Sequence, residues 1–150
     1  MTHAEKARDL FLEGYSCSQA VLGAYAEELS MDERAAMRLA APFGGGIGRL
    51  REVCGACSGM LMVFGMLYGY DSPSDSTAKA AHYAATRELC ERFKERQGSY
   101  ICREILGNKS KAGGNPEPRT EEYYKSRPCV SCVIDAAEIL DEYIAAHPIN

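Results

Sequence analysis

Tryptophan is absent from this 150-residue chain, and no block of Lys or Arg, no bilayer-length apolar run and no strand-like alternation of apolar and polar residues can be found in it. Each absence excludes something. With 17 basic residues against 21 acidic ones the formal net charge is −4, so a nucleic-acid-binding surface is not expected. Gly55 to Tyr70 is sixteen residues without a charge. That falls short of the ~20 needed to cross a bilayer, and glycine interrupts it repeatedly. It predicts a buried central helix and no membrane span. The opening MTHAEKARDL is polar, with no apolar signal core and no twin arginine, from which a cytoplasmic location is expected.

Familiar catalytic signatures are missing as well. There is no HExxH and no Ser–His–Asp order. Neither CxxC is followed by His, since Ser58 and Val133 occupy those places, which removes covalent c-type haem attachment. The run Gly44-Gly-Gly-Ile-Gly48 lacks the closing GK[ST] of a P-loop and follows no strand, so it is not read as a nucleotide site. Its glycines suit a backbone that approaches Cys54 closely. Arg49 and Arg51 in that loop either balance negative charge at the thiols or are simply solvated.

What is present is helical. Thr2 to Glu5, Ser16 to Gln19 and Ser30 to Glu33 read as three capping boxes. The Gly55 stretch predicts the central helix, with Gly55 and Gly59 one turn apart and suited to close helix packing. Asp71 to Ser76 reads as a turn. A long amphipathic helix follows to about Gln97, with Ala78, Ala81, Ala85, Leu89 and Phe93 on its inner stripe. Ser99 is the expected cap of a short helix through Ile101 and Leu106, Asn108 to Pro118 a surface loop, and Pro128 the start of the last helix. The expected fold is all-α: residues 1–150 as one domain, a bundle of about six helices.

Seven cysteines are the unusual feature: Cys17, Cys54, Cys57, Cys90, Cys102, Cys129 and Cys132. An odd count in a chain without an export signal is not a full disulfide framework. Cys17, Cys54, Cys102 and Cys129 each fall at the start of a different predicted helix. There, unpaired backbone N–H groups and the partial positive charge favour the thiolate, the form that attacks and binds metal. Cys54 with Cys57, and Cys129 with Cys132, are spaced to share a helix face and to grip one ion or act as a redox pair. Cys90, inside a helix beside Leu89 and Phe93, reads as a packing residue, and His82 as an ordinary, partly buried histidine.

Cys54-Gly-Ala-Cys-Ser-Gly59, with Cys17 upstream in GYSCSQAV and Cys102 and Cys129 downstream, resembles the redox-active family labelled C_GCAxxG_C_C over nearly the whole chain. The resemblance implies that Cys17, Cys54, Cys102 and Cys129 are the defining set, with Cys57, Cys90 and Cys132 as additions. It also implies an oxidoreductase or transport-system protein as partner. Three functions are then expected to compete, and whether the chain is an enzyme stays open. In the first, Cys17, Cys54, Cys102 and Cys129 hold an iron–sulfur cluster or another thiolate-bound metal for electron transfer, with Cys57 or Cys132 able to replace one ligand. In the second, a metal-free thiol–disulfide oxidoreductase uses Cys54 as catalytic attacking thiolate and Cys57 as resolving thiol. The third is a zinc-stapled accessory module. A homo-oligomer is compatible with all three.

Overall fold

Side-chain caps decide where the helices of this chain begin. The computed structural model describes residues 1–149; Asn150, the end of the expected domain, lies outside the described residues. Thr2 caps α1 (His3–Leu12) and Ser16 caps α2 (Cys17–Ala24), each through a reciprocal box with the glutamate or glutamine three residues on. The third box is not formed. Asp32 caps α3 (Glu33–Ala40), its carboxylate accepting from the Ala35 N–H at 3.1 Å. Ser30 has φ of 53°, outside the extended region that an N-cap occupies.

After α3 the chain makes an irregular turn, α4 (Gly44–Ile47), in which Gly45 and Gly46 are left-handed. Then come α5 (Gly55–Tyr68), α6 (Ser76–Gln97), α7 (Cys102–Leu106), α8 (Glu121–Ser126) and α9 (Cys129–Ala146). Apart from the α4 turn this makes eight regular helices among the described residues, against the expected six or so. The unforeseen one is α8, started by Thr120, whose hydroxyl accepts from the Tyr123 N–H at 3.1 Å. Ser99 does not cap α7. Ile101 holds the cap position, and the Ser99 hydroxyl instead accepts from the Ile101 N–H and donates to Glu104.

Helix α2 is the hub, packed on α1, α5 and α9. It lies against α5 at the two expected glycines: a Cβ on Gly59 would stand 2.8 Å from the Ser18 carbonyl oxygen and 3.0 Å from the Val21 Cβ. Val21, Leu22, Met60, Phe64 and Leu140 fill the core. Not all of α5 is central, however, for Met66 is 59% exposed. On α6 only Leu89 and Phe93 of the expected stripe are buried, and Ala81 is exposed. Alanine offers little apolar area to hold a face against the core, whereas Leu and Phe each contribute roughly 1.5–3 kcal/mol on burial.

No strand is formed among the described residues, but an isolated antiparallel bridge joins Val53 to Ile101. The Cys54 N–H donates to the Tyr100 carbonyl at 2.8 Å and the Cys102 N–H to the Glu52 carbonyl at 2.6 Å. Two cysteine-bearing segments almost fifty residues apart in sequence are thereby pinned side by side. Among the described residues, no helix is long and apolar enough to cross a membrane.

Candidate thiol site

Cys17 is the first residue of α2, Cys54 the cap position of α5, Cys102 the first residue of α7 and Cys129 the first of α9. All four expected thiols line one cavity of about 50 Å³, and Cys132, one turn into α9, joins them. That volume is several times the ~10–15 Å³ that a single water needs. No histidine or carboxylate lines it; the polar wall is supplied mainly by Arg51, Arg119 and Arg127.

The glycine loop is what lets the sulfurs converge. A Cβ on Gly55 would sit 2.5 Å from the Cys17 Sγ, and one on Gly46 would sit 2.7 Å from the Cys102 Cβ. Ile47, Arg49 and Arg51 in the same loop have φ between 62° and 70°. Left-handed backbone costs a non-glycine residue on the order of 1 kcal/mol or more. Hydrogen bonds from the Arg51 N–H to the Gly45 carbonyl (3.2 Å) and from the Glu52 N–H to the Gly46 carbonyl (2.9 Å) hold the loop in that shape. In consequence the Gly45 backbone N–H is turned toward the Cys17 sulfur.

Cys57 and Cys90 stand elsewhere. The Cys57 Sγ lies 3.8 Å from the Cys90 Sγ and neither lines the cavity, so Cys54 and Cys57 face different partners, and Cys90 is more than a packing residue. The reason is local. Cys54 is the cap of α5, with φ −53° and ψ 131°, and a residue with extended ψ does not project from the helix face its neighbours share. Cys129 and Cys132 both lie within α9, keep the helical spacing and stay together.

Burial reverses the ionisation expected from helix starts. The Cys54 neighbour, together with burial, raises the Cys17 pKa well above the ordinary thiol value, and the Cys132 neighbour does the same for Cys54. Burial raises Cys102, partly opposed by Arg51, and pushes Cys129 up to about 12 against the pull of Arg127. Desolvation and crowding of like groups outweigh the helix ends. As neutral thiols these groups are weak nucleophiles.

Arg51 is 4% exposed, and its Nη1 lies 3.7 Å from the Cys102 Sγ. Arg119 is stretched across the end of α1, donating to the Phe11 carbonyl at 3.2 Å and the Tyr15 carbonyl at 3.0 Å. Arg127 pairs with Glu117. Of the loop arginines considered from sequence, Arg51 meets the thiols, while Arg49 turns to the Gly113 carbonyl and Glu117. Arg119 and Arg127 had no local signal in the sequence; they arrive through long-range folding of the 108–128 segment. His82 stacks on Phe64, centroids 4.8 Å apart.

Among the described residues, no three His, Cys, Asp or Glu side chains are grouped to hold a metal ion. A tetrahedral zinc needs its four sulfurs drawn around one point, so the arrangement does not favour a zinc staple. The donor chemistry is nonetheless all sulfur, which suits a soft centre.

The fold and site together define a small all-helical, cysteine-rich protein with convergent thiols under an arginine wall. Residues 15–143 match the family described as "Putative redox-active protein (C_GCAxxG_C_C)", and the chain belongs to that family. Comparison with curated proteins gave no match, nor did comparison with solved structures.

Proposed function

We propose that the convergent thiol cavity is the redox centre of this protein and that Cys17, Cys54, Cys102 and Cys129 hold an iron–sulfur cluster there for electron transfer. One observation carries the reading: sulfurs from four separate stretches of chain line a single small cavity without histidine or carboxylate. When bound, such a cluster supplies one-electron redox chemistry. The chain's own residues provide the rest. Arg51, Arg119 and Arg127 offset the negative charge of thiolates in a site poor in water. The Gly45 N–H faces the Cys17 sulfur, and hydrogen bonds to sulfur tune cluster potentials. The thiols are held protonated, so loading would release protons and would weaken as pH falls. An oxidoreductase or transport-system protein remains the proposed partner, at a cytoplasmic location.

Anaerobic reconstitution with ferrous iron and sulfide tests this directly. Visible charge-transfer absorption, with iron and acid-labile sulfide in equal amounts, is the expected result; colourless, iron-free protein that stays folded with its pocket thiols reduced would overturn it.

A second reading has its own support. Cys54 is flanked by both Cys17 and Cys132, so a metal-free dithiol could cycle there, with Cys57 replaced as resolving thiol by one of these two. Disulfide mapping after mild oxidation distinguishes the readings: a Cys17–Cys54 or Cys54–Cys132 bridge formed reversibly in iron-free protein favours the dithiol.

A further inference from the structure

Beside the thiols lies a second, larger cavity of about 300 Å³, and four guanidinium groups line it: Arg49, Arg51, Arg119 and Arg127. Its one carboxylate is Glu117. In a chain whose formal charge is −4, four cations against a single anion around one hollow is a pronounced local reversal of sign. Arg51, Arg119 and Arg127 line the thiol cavity too, so the two hollows share a wall.

The partners of these arginines reveal a shortage. Arg49 donates to the Gly113 carbonyl at 2.7 Å and stands 3.6 Å from Glu117. Arg127 also pairs with Glu117, so one carboxylate is divided between two guanidiniums. Arg51 donates through Nε to the Lys111 carbonyl at 2.9 Å, yet its Nη2 is buried with no hydrogen-bond partner at all. Leaving a buried charged donor unpaired is among the more expensive defects a fold can carry. An oxyanion or carboxylate would supply the missing acceptor, and planar guanidinium groups match those anions in a two-point fork.

We propose that this arginine-lined cavity is an anion-binding site that seats the carboxylate or oxyanion group of a small ligand against the thiol centre, with Glu117 as the internal carboxylate that occupies part of the site in the ligand's absence. The ligand's role as redox substrate rests on the function proposed above; its binding does not. Two sources share this chemistry: a free inorganic oxyanion, and the carboxylate end of a small thiol metabolite.

Calorimetric titration of the iron-free, fully reduced chain keeps the two questions apart, since failure of cluster assembly leaves this measurement untouched. Inorganic phosphate, sulfate and S-methylglutathione, which cannot exchange with thiols, serve as probes. One saturable site is expected, weakened by added sodium chloride. Arg49→Gln and Arg127→Gln each weaken it roughly tenfold, the loss of one charge-assisted contact. Glu117→Gln tightens it several-fold, a gain that misfolding cannot imitate. Preference for phosphate or sulfate identifies an inorganic oxyanion; preference for S-methylglutathione identifies a thiol metabolite. The proposal is overturned if neither the natural chain nor Glu117→Gln takes up any probe at millimolar concentration. Binding that both arginine variants leave unchanged would overturn it equally.

Discussion

Helix α5 carries two cysteines three residues apart, and they belong to different worlds. Cys54, at its cap, faces the arginine-walled cavity with Cys17, Cys102, Cys129 and Cys132. Cys57, wholly buried, turns to α6 and meets Cys90 at 3.8 Å. In the first region cations oppose the rise in thiol pKa at Cys102 and Cys129. In the second the charged neighbour is Glu91, and the Cys57 thiol, by hydrogen bonding, lowers Cys90 below the ordinary value while Cys57 itself is raised. Both regions join sulfurs by hydrogen bonding, Cys54 with Cys17 and Cys132 as Cys57 with Cys90, but only the first sets them under a wall of positive charge. The lesson is that two cysteines three residues apart can be given different thiol partners by the helices packed against each.

The largest effect should separate these regions outright. Cys54→Ser is expected to lower iron and sulfide content after reconstitution at least about tenfold, because a cluster ligand is lost. Cys57→Ser should leave loading near that of the natural chain. Iron and labile-sulfide analysis of both variants, alongside the visible spectrum, reads the difference. Equal loss in both would erase the distinction between the two groups of thiols.

A packing comparison on the same helix comes next. Gly55→Ala would drive a Cβ to 2.5 Å from the Cys17 Sγ and 2.8 Å from the Phe43 carbonyl oxygen. Overpacking of this kind costs about 1–3 kcal/mol. Gly65, ten residues on, faces open space, and Gly65→Ala should stabilise by roughly 0.5–1 kcal/mol through helix propensity. Urea unfolding of the two variants is expected to shift the midpoint in opposite directions.

How far the sequence reached can be judged from these same residues. The helix-start positions of Cys17, Cys102 and Cys129 were readable because Ser16, the bounding glycines and Pro128 are local signals, and the family resemblance grouped them with Cys54 as one set. The Cys57–Cys90 contact was not readable, since it depends on the packing of α5 against α6. Nor were Arg119 and Arg127, which sit in a polar segment with no periodicity and reach the thiols only through tertiary folding. Helix α8 does carry a local signal, for Thr120 ahead of two glutamates is a capping pattern. The thiol pKa shifts run opposite to the helix-start expectation because burial is a property of the assembled fold, whereas a helix start is a property of the sequence.

Reactivity ranks the two thiol regions more finely. A lowered pKa gives Cys90 a larger thiolate fraction at pH 8 than Cys17, Cys54, Cys102 or Cys129, all of which are raised. Because the thiolate is the attacking form, iodoacetamide should label half-buried Cys90 first in the iron-free chain, and mass spectrometry of quenched time points would show it. Earlier labelling of Cys54 would instead reveal an activated thiolate and revive the dithiol reading.

The smallest effect is a slope. Burial pushes the Cys129 thiol up to about 12 in the folded chain, whereas an unfolded thiol titrates near ~8.5. Between these values the folded state keeps a proton that the unfolded state has released. Stability therefore falls as pH rises through that window, and the contribution is fully present only below the unfolded value. Cys90, with its lowered pKa, contributes in the opposite sense, gaining stability as its thiolate forms before the unfolded thiol ionises. Urea unfolding of iron-free protein at pH 7, 8, 9 and 10 should consequently show a shallower alkaline decline for Cys129→Ala than for the natural chain and, below the unfolded thiol value, a smaller gain with pH for Cys90→Ala. If the two variants changed the slope in the same direction, the arginine-walled thiols and the paired thiols would be electrostatically alike, and the division between the two regions would lose its physical basis.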